Sequence, residues 1–185
     1  MKRSLMALAL ASLLPMAAHA DDRLSYTFVE GNYINAQSDG GLDGDGYGLK
    51  GSYQFGQSGF YGFGGYSQTE IDGTSIDADT TDIGLGYAHT LSPNADLVAE
   101  LGHTRSDLDF AKIDGFRTSV GVRGSLSDNF EGTLKANYYD GSDFTGDFTG
   151  TVGAQYKFNP TWGITGEAEF GDGGETYTVG VRTSF

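Results

Sequence analysis

The chain has 185 residues, with 30 Gly, 12 Phe, 11 Tyr, three Pro and no Cys, and a formal net charge of −14. Twenty-five Asp and Glu stand against eleven Lys and Arg, which excludes a nucleic-acid binder that works by neutralising phosphates with clustered basic residues. Without Cys there are no disulfides, zinc–thiolate sites or thiol nucleophiles, and abundant Gly with thinly spread Leu, Ile and Val argues against a core of amphipathic helices.

The first element is a leader. Lys2 and Arg3 precede an apolar stretch from Leu5 to about Pro15, and Ala18-His19-Ala20 ends it in the small-x-small pattern of signal-peptidase sites. Cleavage is expected between Ala20 and Asp21. The stretch is too short for a membrane-spanning helix, which needs roughly 18 or more apolar residues. Beyond it nine Lys and Arg face 25 Asp and Glu, a net charge of −16.

From there the hydrophobic period is two. Strands are predicted near 24–35, 46–55, 59–68, 80–90, 96–106, 115–125, 130–139, 147–158, 162–170 and 175–185. The first and third carry aromatics on both parities, so a bulge is expected in each. In the second, Tyr47, Leu49, Tyr53 and Phe55 oppose Gly48, Lys50, Ser52 and Gln54. In the sixth, Phe116, Thr118, Val120 and Val122 oppose Arg117, Ser119, Gly121 and Arg123. The ninth sets Trp162, Ile164, Ala168 and Phe170 against Thr165, Glu167 and Glu169. In the tenth, Tyr177, Val179, Val181, Thr183 and Phe185 share one face.

Connections alternate in kind. Short turns such as Leu126-Ser127-Asp128-Asn129 and Asn159-Pro160-Thr161 alternate with longer acidic ones at Gln37–Asp45, Thr69–Asp79, Asp107–Asp114 and Asp140–Gly146. Ten residues at ~3.3 Å each, tilted by about 40°, rise roughly 25 Å, the height of an outer-membrane apolar band. A sheet in lipid must close to pair every backbone group. The expected fold is therefore all-β: a transmembrane antiparallel up-and-down barrel of ten strands, or eight if the first and third segments are mis-cut. The apolar parity faces lipid and the Gly, Ser, Thr and charged parity faces the lumen. An aromatic C-terminal strand, with Tyr177, Val179, Val181 and Phe185 on one face, is the expected signal to the barrel-assembly machinery.

Charges enclosed by a narrow barrel must be paired. Lys50, Arg117, Arg123, Lys135, Lys157 and Arg182 are expected to pair in the lumen with Asp82, Glu100, Glu131, Glu167 and Glu169. This lattice either packs the interior or lines a narrow polar conduit. The acidic loops suit a solvated, mutually repelling surface; Asp43-Gly44-Asp45-Gly46 is the best short Ca²⁺ candidate, but no EF-hand spacing supports it, so no metal or cofactor is expected. His103 lies near Asp107 and Asp109, the ingredients of a water-activating base at a barrel rim. It sits on the lipid-facing parity with Leu97, Ala99 and Leu101, however, and no Gly-x-Ser-x-Gly nucleophile occurs, so no catalytic residue is expected.

The chain also resembles the small outer-membrane β-barrel family of xanthomonads and their relatives, once discussed as quorum-sensing and plant-immunity factors. The resemblance rests on MKRSLMALAL (1–10), YTFVEG (26–31), DGYGLKGSY (45–53), GYSQTEID (65–72), NPTWGITG (159–166) and YTVGVRTSF (177–185). It implies a Gram-negative outer-membrane address and links to virulence, motility or biofilm traits, without a catalytic set. The leading expectation is a monomeric, non-enzymatic surface protein whose partners are outer-membrane lipid and lipopolysaccharide and whose loops mediate contact or envelope integrity. The alternatives are a protease-like barrel-rim enzyme and a narrow channel.

Overall fold

The computed structural model describes residues 24–41, 43–74, 76–108, 111–141 and 146–185. The expected leader and its Ala20–Asp21 cleavage point lie outside the described residues. Ten strands follow one another: β1 (Phe28–Ser38), β2 (Gly44–Gln54), β3 (Phe60–Ile71), β4 (Asp77–Ser92), β5 (Ala95–Leu108), β6 (Ala111–Ser127), β7 (Phe130–Gly141), β8 (Asp147–Lys157), β9 (Trp162–Gly171) and β10 (Gly174–Ser184). Each pairs antiparallel with its chain neighbours, and β1 pairs β10 from Phe28↔Ser184 to Ser38↔Gly174, which closes the barrel. Among the described residues no helix is long and apolar enough to cross a membrane; the strands do that work.

The barrel is inside-out relative to a water-soluble protein. Val179 is 62% exposed, Leu101 60% and Leu134 65%, whereas Glu131 is 3% and Asn137 1% exposed. Lipid is the solvent for the first set, so their exposure carries no hydrophobic penalty. Tyr177, Val179 and Val181 all point outward on β10, and the backbone N–H of Phe185 donates to the Thr27 carbonyl at 3.0 Å.

Three sequence expectations need correction. The first strand starts at Phe28 rather than residue 24, and the segment before it carries Tyr26 into the lower lumen, where it is 4% exposed. Register shifts fall at Thr90/Ser92 and Ser125/Ser127, beside short turns, and not in β1 or β3. The aromatics of β3 occupy both parities because Tyr61 and Phe63 are lumenal packing while Phe60 and Tyr66 face out. The acidic segment Asp107–Asp114 is mostly ladder rather than loop, with Arg105↔Asp114, Asp107↔Lys112 and Leu108↔Ala111 as rungs. Strands β4 to β6 have 16, 14 and 17 residues, so this side of the wall stands taller than the rest. Turn chemistry fits the hairpins. Gly73 adopts φ +74° in the β3–β4 turn, a conformation that disfavours side chains. Asn159 Oδ1 accepts from the N–H groups of Thr161 and Trp162 at 2.9 and 2.8 Å, launching β9.

Candidate functional site

The lumen divides into two levels. At the short-turn end, which faces the periplasm in barrels of this kind, Tyr26 stacks on Tyr61 with centroids 4.8 Å apart, and its hydroxyl donates to Asp96 Oδ2 at 3.1 Å. The Arg123 guanidinium lies 4.9 Å from the Tyr26 ring centroid and reaches Glu131 at 2.6 Å. Lys157 meets the other oxygen of Glu131 at 3.0 Å, so one buried carboxylate serves two cations. Arg182 pairs with Glu30 at 2.7 Å, covers the Phe28 ring at 3.9 Å and donates to Gln155 at 3.3 Å. Between these groups only about 40 Å³ stays open. Below Tyr26 and Asp96 a wider mouth of about 720 Å³ opens past Gln54, Ser58 and His89.

Above lies a chamber of about 200 Å³. Lys135 meets Glu100 at 3.0 Å, and the same carboxylate takes a hydrogen bond from Tyr61 at 2.9 Å. Arg117 bridges Asp82 at 3.3 Å and Glu100 at 4.0 Å. Lys50 and Glu167 stand 3.4 Å apart and are far more exposed than the pairs below. Phe28, Ile34 and Phe63 supply an apolar patch of wall. Glu169 is different. It accepts from the hydroxyls of Tyr139 (2.9 Å), Thr149 (2.9 Å) and Thr151 (3.2 Å) and has no cationic partner among the described residues.

All eleven lumenal candidates lie on the inward parity, and ten of them enter ion pairs, Glu169 being the exception. Sequence reasoning missed Tyr26, Glu30 and Asp96, as well as Asn32 and Asn137. Glu30 and Asn32 share a parity with Tyr26 and Phe28, so aromatic letters hid a polar lumenal row. His103 points outward, edge-on to Phe116 at 5.2 Å, and its Nε2 is 3.6 Å from Asp114 rather than beside Asp107. Asp43 Oδ1 accepts from the Ser38 N–H at 3.0 Å, so that carboxylate closes the β1–β2 turn. At the projecting β5–β6 tip, Lys112 lies 3.0 Å from Asp107 and Arg105 3.5 Å. The hydrogen bond from Lys112, helped by Arg105, holds the Asp107 carboxyl below the ordinary carboxylate range.

Such an arrangement presents fixed dipoles and paired charges along the lumen. Residues 9–109 match the family model described as Gram-negative porin. Solved structures with the same fold include a KdgM porin, 15% identical with a TM-score of 0.52, covering 84% of this chain and 99% of the other. A KdgM porin in complex with disordered oligogalacturonate gives 15% and 0.51 over 84% and 99%. A NanC porin gives 12% and 0.52 over 86% and 100%. No curated protein matches the chain significantly.

Proposed function

The chain belongs to the Gram-negative porin family, and we propose that within it this barrel is a narrow, non-enzymatic conduit for small polar solutes across the outer membrane. The observation that carries the reading is the stepped lumen, a chamber of about 200 Å³ over a constriction of about 40 Å³, both walled by charged and amide side chains. A lumen meant only for packing has no need of an open polar chamber. A solved neighbour holds an anionic oligosaccharide. Here every lumenal Lys and Arg is already matched by a carboxylate, so the solute of this chain is small and is not a polyanion. The protein refolded into planar bilayers should give small discrete conductance steps. Silent bilayers containing correctly folded barrel would sink the reading.

A second reading, contact at the cell surface, draws on the tall β4–β6 wall. Its outward residues Arg105, Asp107, Lys112 and Asp114 are charged and lie beyond the apolar band. Lipopolysaccharide bridged by divalent ions is the surface it would meet. Shortening the β5–β6 tip should then abolish attachment while leaving folding intact. For biogenesis, the Tyr177, Val179, Val181 and Phe185 face is the proposed signal to the barrel-assembly machinery, and replacing Phe185 should slow insertion.

A further inference from the structure

The upper chamber carries an imbalance. Asn137 is 1% exposed, and its Nδ2 donates to Thr149 Oγ1 at 2.9 Å and Thr151 Oγ1 at 2.7 Å. Each of those hydroxyls has one hydrogen and gives it to Glu169. That direction fixes the Asn137 amide, because a flipped amide would place Oδ1 against hydroxyls whose hydrogens are committed to the carboxylate. Asn137 Oδ1 is therefore left as a buried acceptor with no partner, and Asn32 Oδ1, on a residue 6% exposed, is another. Both residues line the chamber, as does Glu169. A buried acceptor in that position favours a donor from a ligand.

We propose that the upper chamber is a site for a small cation carrying N–H donors, of the primary ammonium class, with Glu169 as its counter-charge and Asn137 Oδ1 as its hydrogen-bond acceptor. This deepens the conduit reading and, for transport, rests on it. Three points select the ligand. Glu169 is the one carboxylate lining the chamber without a cationic partner among the described residues, which favours a cation. Among the described residues no three carboxylate or His side chains converge, which disfavours a dehydrated divalent metal. The volume of about 200 Å³ admits a small organic ion but not an oligomer. The Arg117 Nε, also without a partner, is a donor in the same chamber and leaves room for a ligand that carries an acceptor as well. Apart from that one N–H, an anion would have to break existing pairs to reach the chamber's cations.

The test uses the full refolded chain and methylammonium chloride. In NMR titrations, resonances of Asn137, Thr149 and Thr151 should shift saturably with methylammonium and not with sodium acetate. Glu169→Gln should weaken binding about tenfold or more, as expected for loss of a charged hydrogen-bond partner. In bilayers under a salt gradient, the wild type should show a cation-selective reversal potential that Glu169→Gln moves toward zero. Asp107→Asn, at the outer tip, should leave both readouts unchanged. Absence of saturable methylammonium binding overturns the site. So does an Asp107→Asn effect as large as that of Glu169→Gln, which would place the selectivity in the outer charge field. Saturable binding in a barrel that never conducts keeps the site and removes only the conduit. If Glu169→Gln fails to fold, the wild-type contrast between methylammonium and acetate decides alone.

Discussion

The two halves of the lumen obey one pattern, inward alternate residues, yet reach different physical ends. In the periplasmic half, Arg123 and Glu131 have side chains 10% and 4% exposed, held between Tyr26 and Lys157. In the extracellular half, Lys50 and Glu167 are 40% and 38% exposed at 3.4 Å. Desolvation makes a buried charge depend on its partner, whereas water screens an open pair. The contrast is between the enclosed Arg123–Glu131 pair and the open Lys50–Glu167 pair, since Arg117 and Lys135 in the chamber are about as buried as Lys157 and Arg182 below.

The sharpest way to break that comparison is to orphan a charge in the lower half. Arg123→Ala leaves Glu131 with Lys157 alone and removes the guanidinium from the Tyr26 ring. It should destabilise the barrel by about 3–5 kcal/mol, read as earlier denaturant unfolding and as lost heat-modifiability on gels. A loss no larger than that of Lys50→Met would erase the distinction between the halves. Tyr26→Ala comes next, at about 3 kcal/mol for a buried aromatic. Because Tyr26 and Asp96 stand between the constriction and the wider mouth below, the variant should also enlarge single-channel conductance. Unchanged conductance would mean that the seal lies elsewhere.

Gly86→Ala probes the same floor from the wall. A Cβ there would lie 2.2 Å from Tyr61 Cζ, inside contact distance, so the ring must move off Tyr26. The expected cost is about 1–3 kcal/mol, with part of the conductance gain of Tyr26→Ala. Lys50→Met, by contrast, should cost no more than about 1 kcal/mol because both partners are solvent-screened. Its effect should show in the reversal potential rather than in stability.

The same division explains what the sequence could reveal. Where lipid meets one parity and water the other, as at Tyr177, Val179 and Val181 against Thr178, Gly180 and Arg182, alternation is plain and ten strands can be counted from it. Alternation fades where both faces favour aromatics. Tyr26 and Tyr61 narrow the lower lumen and Phe63 walls the chamber above, so β3 reads as irregular although its geometry is regular, and the row containing Glu30 goes unnoticed. The β5–β6 tip fails for the opposite reason. Beyond the bilayer both faces of the ladder meet water, so charge ceases to distinguish strand from loop, and Asp107–Asp114 looks like a turn. Glu169 was readable as inward but not as unpaired, since ion pairing depends on which strands the closed sheet brings together across the lumen. The Thr149 and Thr151 hydroxyls that occupy it come from β8, and the Tyr139 hydroxyl from β7.

The smallest effect belongs to the tip. The Asp107 carboxyl is held below its ordinary range first by the Lys112 hydrogen bond, then by Arg105. A depressed folded-state value means that the pair stabilises the ladder above the ordinary carboxylate range, and that this contribution is lost as pH falls through the lowered folded value. The side chains of the rung Asp107↔Lys112 are open to solvent at the tip, so acid should fray the tip locally while the barrel stays closed. Amide exchange at Leu108 and Ala111 should therefore quicken in acid. Asp107→Asn should reach the same fast exchange at neutral pH and remove the pH dependence. If acid instead loosened amides around Glu131 to the same degree, the tall wall and the constricted floor would be one cooperative unit, and the division of the molecule into a rigid lower level and an adaptable upper one would be wrong.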